Sequence, residues 1–554
     1  MAQASDRDMG SPPAEQALPA ITALFLVTFD NRKGYTISWQ ECLDSIKLDG
    51  VVEFKSLPSG LHNVNEDLVY FVHDDHAGIS AFLREDDEAA ARNARMLSVG
   101  VLVPEAGRMG KSFLYAQELK ELARTLINKP DDLSPLRRLW EKHKKSGDDS
   151  PDSPQEAPST EGYQKLRAPS TTSLQTHATH RALPPHHPAL AMPELLHVFG
   201  PLIFPLIRAA LLQKRILILG EAPVETTCNF VYAISILSTI SRSVGAHIPN
   251  FDPSKSSPRP LFNIGISDIS TLETLEGPWI ACTTDDVLTS KHHLFDLLVI
   301  LPTASPLQKH KNGTYPKLIN SSPDLSKQFP KQGLRATRRD ARRITSLKNS
   351  LQPLPSGSSS NATDRHHEAD DNASTTTTSS LSTINDHKET VEPTPWSVIA
   401  YTSLIWWASA GDRRSGLMEA EELANEQDEA LLRDSTSEDG TTKEVAIVAY
   451  FHKLSSLVFE VLGGAVRRGG EGYRDDVDEE GRGEGQGDEQ ALLSRKDDGD
   501  EEVVEITEED VRTMGLDVWS ENDKKFVEDM VRLWWRRKAV VRAGSIECCG
   551  VRVL

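Results

Sequence analysis

Residues 193–220 read PELLHVFGPLIFPLIRAALLQKRILILG, and the fold turns on how this stretch is interpreted. Its first two-thirds carry apolar residues at helical spacing, punctuated by Pro193, Pro201 and Pro205. That pattern predicts a broken, largely buried helix. Residues 216–219, ILIL, then form a continuous apolar run ending at Gly220, as in a strand covered on both faces. Such a strand needs helices around it, and the chain supplies them. A helical stretch at about 224–241 is followed by PLFNIGI, ISTLETL, GPWIACTTDDVLT and LFDLLVILP. Apolar strands alternating with helices predict a largely parallel α/β module over 190–302.

Upstream, residues 19–128 read differently. ITALFLVTFD is a strand-length apolar run that stops at the polar turn Asp30–Gly34, and YTISWQ alternates like a returning strand. VVEFKSLPSGLH predicts a third strand and a Pro–Gly turn. DLVYFVHD and AGISAFLRE make a second hairpin around Asp74–Gly78. DDEAAARNARMLSVGVLVP reads as a short helix and a strand, and SFLYAQELKELARTLIN as a closing amphipathic helix. The simplest assembly is an antiparallel sheet with flanking helices.

Between and beyond these blocks the composition changes. Residues 1–18 form a polar tail, and 129–189 a Pro-, Ser-, Thr- and His-rich linker with one helical fragment, SPLRRLWEKHKKS. Residues 303–395 are poor in apolar side chains and predict a disordered insertion. Its cluster Arg335, Arg338, Arg339, Arg342 and Arg343 reads as a solvated run or as a site for acidic partners. Residues 396–554 read as helical, with acidic disordered inserts near 411–442 and 467–502. PWSVIAYTSLIWWAS predicts a helix or helix pair, and VAIVAYFHKLSSLVFEVLGGAV an amphipathic helix. In GLDVWSENDKKFVEDMVRLWWRRK, Ser520 stands as an N-cap, with acidic residues in the first turn and basic ones in the last.

The 554 residues suffice for roughly three to four domain-sized pieces. A net charge of −21 argues against a general nucleic-acid binder, which needs a clustered positive surface. The start of the chain lacks the basic and apolar pattern of a signal peptide. The prolines and charges of 195–219 predict that this run does not span a membrane. Five cysteines without CxxC spacing imply neither a disulfide framework nor a zinc site. The expectation is a cytoplasmic protein.

Residues 107–112, GRMGKS, sit between a strand and a helix, where a phosphate-binding loop belongs. That loop needs four residues between its glycines and here there are two, so a plain connecting loop is expected. The histidines 177, 180, 186 and 187 read as a polar tract, His292–His293 as a surface turn, and Asp285–Asp286 as turn residues. No elbow serine, HExxH pair or kinase signature is present, so no catalytic residue, cofactor or metal is assigned. Function is expected to lie in binding.

Several of these segments together resemble a known family. ALFLVTFDNRKGYTISW, GVVEFKSLPSGLHNVNEDLVYF, AGISAF and ARMLSVGVLVP are similar to the longin-type upstream module of DENN proteins, closest to the LCHN-like branch and its fungal counterparts. PELLHVFGPLIFPLIRAALLQKRILILG resembles the opening of the central DENN module, and GLDVWSENDKKFVEDMVRLWWRRK the tail of the helical downstream part. The fold class implied is α/β: a longin-like antiparallel sheet with helices, a central α/β DENN module, then a helical downstream module. The resemblance implies nucleotide exchange on a Rab-family small GTPase in vesicle trafficking, with peripheral recruitment to endomembranes through that GTPase. Asp67, Tyr70, Arg208 and Lys214 are the candidate GTPase contacts. Two alternatives stay open. One is a non-catalytic scaffold that tethers partners through the acidic and basic inserts. The other is a GTPase activator, for which Arg84 or Arg92 would supply the arginine.

Overall fold

The computed structural model of the chain describes residues 18–144 apart from 31, 44, 58–59, 61–62, 88–93 and 106–109, and residues 183–303 apart from 254–255. It further describes 315–321, 333–352, 389–393, 417–436, 442–479, 503–542, 547–548 and 551–552. The chain divides into two units, Met1–Leu57 with Leu61–Gln164, and Lys165–Leu554 with Pro58–Gly60.

In the first unit, five strands run in the order β3-β4-β5-β1-β2. They are β1 (Ala23–Asp30), β2 (Gly34–Cys42), β3 (Glu66–His73), β4 (His76–Asp86) and β5 (Ala94–Pro104), and all pairings among them are antiparallel. The hairpins fall where the sequence placed them: β1 turns into β2 through Gly34 at φ 80°, and β3 into β4 through Asp74 at φ 51°. Two glycines inside strands leave room for aromatic rings. A Cβ on Gly100 would lie 2.3 Å from the Phe25 ring, and one on Gly78 2.4 Å from Phe71. The third expected strand is instead a single helical turn, α1 (Val52–Lys55), which buries Val52. Lys55 Nζ donates to the Val72 carbonyl at 2.6 Å, so this segment is tied to β3 through a side chain.

Helix α2 (Ala116–Asn128) turns Leu119, Ala123 and Leu126 inward. The fragment read as part of a linker is α3 (Ser134–His143). It buries Leu136, Leu139 and Trp140, and its His143 carbonyl accepts the Ile21 N–H at 2.8 Å. Hydrophobic spacing inside a polar stretch was the signal; its depth of burial was not.

The second unit opens with the quoted stretch. A 3₁₀ turn leads into α4 (Met192–Phe199), a second 3₁₀ turn at Gly200–Leu202 carries Pro201, and α5 (Ile203–Leu211) follows. Gln213 at φ 56° ends the helix and the chain enters β6 (Ile216–Leu219). Helix α6 (Glu225–Leu237) leads to β7 (Arg259–Asn263), α7 (Ile269–Thr274) to β8 (Trp279–Thr283), and α8 (Asp286–Thr289) to β9 (Leu297–Ile300). Strands β9, β6, β8 and β7 are parallel neighbours, and β10 (Lys317–Asn320) pairs antiparallel with β9. Trp279, Leu217 and Phe295 lie at the centre of the core packed on this sheet.

Beyond β10 the structure departs from the sequence reading. The region expected to be a disordered insertion contains α9 (Arg338–Ser350), with Ile344 and Leu347 fully buried. The acidic stretch near 411–442 forms α10 (Leu417–Thr436). Helix α11 (Lys443–Glu479) continues past 467, where an acidic disordered insert was expected. Then come β11 (Val503–Thr507), α12 (Glu508–Thr513), α13 (Glu521–Trp535) and β12 (Lys538–Arg542). β11 and β12 pair in parallel, so this part is not purely helical. Ser520 caps α13 as expected, accepting the Asp523 N–H at 3.3 Å. The apolar stretch 395–409 lies outside the described residues.

Two segments, Pro188–Leu211 and Lys443–Gly469, are long and apolar enough to cross a membrane by length and composition, although prolines and charges had been expected to interrupt the first. Their most apolar windows are 72% and 50% buried within the fold. Pro205 does not break the first because it stands in the opening turn of α5, where a missing N–H costs nothing.

Candidate functional site

The predicted contact residues fall in dissimilar settings. Asp67, at the start of β3, is 3% exposed and accepts the Leu68 N–H at 2.8 Å. Tyr70 is 1% exposed within the same strand. Both act in the interior of the sheet. Arg84 on β4 is partly exposed, pairing with Asp86 at 2.8 Å and reaching Asn65 Oδ1 at 3.5 Å. Arg92 lies outside the described residues. Lys214 is part-buried with Nζ 3.4 Å from Asn320 Oδ1, and burial draws its amine below the usual lysine range. Its neighbour Arg215 grips Asp296 at 2.9 Å through Nη2 and at 2.8 Å through its backbone N–H, pinning β6 beside β9.

Arg208 is where the structure concentrates charge. From α5 its guanidinium bridges Asp340 on α9 and Asp523 on α13. Asp340 also belongs to the N-cap of α9, where its carboxylate accepts the Thr337 N–H at 3.1 Å and Thr337 Oγ1 accepts the Asp340 N–H at 3.2 Å. One helical turn apart on α9, Arg339 and Arg343 both meet Asp428 of α10. Arg339 does so through two bonds, at 3.1 and 2.8 Å, and also donates to the Arg512 carbonyl at 3.1 Å. Arg343 reaches Asp428 at 2.5 Å and the Gly515 carbonyl at 2.7 Å. Gly515 has φ 75°, and a Cβ there would come 2.1 Å from the Arg343 guanidinium.

Three guanidiniums thus face three carboxylates: Arg208, Arg339 and Arg343 against Asp340, Asp428 and Asp523. Of the five arginines read from sequence as solvated, or as waiting for acidic partners, Arg339 and Arg343 find their acid within this chain, while Arg338 is exposed. Segments taken for independent inserts close on one another. Burial opposes the charge on Asp428, but Arg343 and Arg339 outweigh it and hold the carboxyl below the usual range. At Asp523 burial prevails, helped by nearby Asp340 and against the pull of Arg208, and its pKa is pushed up to about 7. Each charge is consumed by a neighbour, so the cluster works as a clamp joining α5, α9, α10 and α13.

The other sequence candidates resolve into structural roles. Gly110 and Lys111 adopt left-handed φ, and a Cβ on Gly110 would lie 2.5 Å from the Pro104 carbonyl, so the glycine serves a tight strand-to-helix turn. Asp285 stands just before α8, its N–H donating to Thr283 Oγ1 at 3.1 Å. His187 caps a 3₁₀ turn, accepting the Ala189 N–H at 3.1 Å, and burial lowers its pKa to about 4. His293 pairs with Glu273 on the surface at 3.3 Å. Among the described residues, no group of three or more His, Cys, Asp or Glu is arranged to hold a metal ion.

A family model described as DENN domain-containing protein 11 matches residues 24–311, which take in β1 from its second residue and all of β2 to β9, and stop short of β10. The chain belongs to this family. DENN domain-containing protein 11 of Danio rerio is 33% identical over 314 residues, covering 55% of this chain and 58% of that protein. Its Mus musculus counterpart is 31% identical over 314 residues, covering 55% and 62%. The aligned region therefore spans less than two thirds of these relatives. Uncharacterized protein ANR2 of Saccharomyces cerevisiae is 24% identical over 565 residues, covering 96% of this chain and 94% of that protein. A second family model, described as a domain of unknown function, matches residues 391–554. Of the charge clamp only Arg208 falls within the DENN match; Arg339, Asp340, Arg343, Asp428 and Asp523 lie beyond it. The sequence did carry one signal for it: Thr337-x-x-Asp340 is a capping box, with arginines at helical spacing behind it.

Proposed function

We propose that this protein is a guanine-nucleotide exchange factor for a Rab-type small GTPase, acting in membrane trafficking. The observation that carries the reading is the DENN family match running through both the antiparallel and the parallel sheet. An exchange factor needs no chemical active site. It binds the nucleotide-free GTPase more tightly than the loaded one, and linkage weakens the nucleotide by the same factor. The work is differential binding to an opened switch region. A cytoplasmic protein recruited to membranes through its GTPase fits this role.

Purified Rab GTPases assayed in parallel for release of labelled GDP and for phosphate production test the reading. Accelerated release without phosphate is the expected result. Phosphate production that disappears in Arg84→Ala would replace exchange by activation. Binding without either would leave a scaffold, and no binding to any GTPase would overturn the proposal.

A further inference from the structure

Apart from the charge clamp, the second unit carries an open groove of about 570 Å³ between the middle of α11 and α12. Leu457, Val461 and Gly464 form one wall, spaced so that they share a face of α11. Arg468, one turn further, closes the end by reaching both carboxylate oxygens of Asp510 on α12, at 2.8 and 2.7 Å. Asp510 is itself held by the α12 capping box, accepting the Thr507 N–H at 3.0 Å. The walls are therefore fixed to each other.

Two further lining residues set the charge. Glu460 and Glu509 are exposed and have no hydrogen-bond or ion-pair partner among the described residues, while the one lining cation, Arg468, is taken by Asp510. The groove therefore offers an apolar stripe beside free carboxylates. From Leu457 to Arg468 the wall runs about 16 Å, or three helical turns. Gly464 deepens its middle: a Cβ there would find no closer atom than Arg468 Nη1 at 3.8 Å.

We propose that this groove docks a short amphipathic helix of a partner protein, apolar on the inserted face and carrying lysine or arginine beside it. The apolar stripe takes the i, i+3, i+4 anchors of such a helix, and Glu460 and Glu509 pair with its basic flank. The acidic rim disfavours nucleic acid and anionic lipid. The chain's net charge of −21 adds a long-range pull on a basic segment.

The test is fluorescence anisotropy with the full chain and a labelled Leu/Lys amphipathic peptide of roughly 18 residues, long enough to form a helix. The same peptide with Glu replacing Lys is the control. The Lys peptide should bind and the Glu peptide should not. Gly464→Leu fills the groove while improving helix propensity, so the fold persists and binding should be lost. Glu460→Lys with Glu509→Lys should weaken the Lys peptide by about ten-fold or more and admit the Glu peptide. Absent binding, or equal binding by wild type and Gly464→Leu, overturns the proposal. So does binding that appears only after deletion of 480–502, which makes the chain's own segment the occupant. A wild-type dimer in sedimentation that Gly464→Leu turns into a monomer makes the occupant a second copy, and overturns it too.

Discussion

Arg208 carries two carboxylates on one guanidinium with only 14% of its side chain exposed. Removing it strands Asp340 and Asp523 in the interior, so Arg208→Met should cost about 3–5 kcal/mol in chemical denaturation. Arg208→Lys should restore only part, because a single ammonium cannot fork between acids held on two different helices. Asp523 gives the clamp a pH signature. Its carboxyl titrates near 7 when folded against an ordinary value of 3.8, so the folded chain holds a proton that the unfolded chain has lost. That stabilisation is full at the acidic end and is lost as pH rises through the window up to about 7. Asp517 and Glu392, both raised by burial, act in the same direction. Denaturation midpoints measured from pH 5 to 8 should therefore fall less steeply in Asp523→Asn than in wild type. Asp428, held low by Arg343 and Arg339 against its burial, acts oppositely and only at more acidic pH.

At the scale of elements, the first unit's sheet depends on the missing side chains of Gly78 and Gly100 as much as on the aromatic ones beside them. A methyl on Gly100 would overlap the Phe25 ring, so Gly100→Ala should destabilise by about 1–3 kcal/mol although alanine suits a strand no worse than glycine. Relief of that loss in Gly100→Ala/Phe25→Leu, measured by thermal unfolding, would show that the ring is the cause. The second unit's helices start by a shared device. Thr337 with Asp340 opens α9, and Thr507 with Asp510 opens α12, each a complete capping box. In both, the box carboxylate also takes an arginine from another helix, Arg208 in one and Arg468 in the other. Thr507→Ala should therefore cost more than the ~1 kcal/mol usual for a cap, since it also loosens the Arg468–Asp510 contact.

For the whole molecule, the proposed exchange activity draws on both sheets, since the family match runs through both. Deleting residues 19–144, or separately 190–303, should each abolish accelerated release of labelled GDP; activity surviving either deletion would remove that unit from the proposed site. Much of this architecture was legible in the chain. The parallel module followed from ILIL at 216–219, and the antiparallel one from alternating runs broken by polar turns. The cap of α13 could be read at Ser520, because a cap is a contact between residues three apart. Composition misled where polar segments are folded: α9 and α10 are rich in charge, yet Arg339 and Arg343 of the first bury their charge against Asp428 of the second. The sequence by itself determined the local order of strands, helices and turns, because spacing and capping act over a few residues. Only the tertiary structure decided that Asp67 and Tyr70 lie inside the sheet, and that Arg208 serves Asp523 at a separation of 315 residues. Burial and ion pairing depend on which surfaces meet across the fold, and no spacing along the chain encodes that meeting.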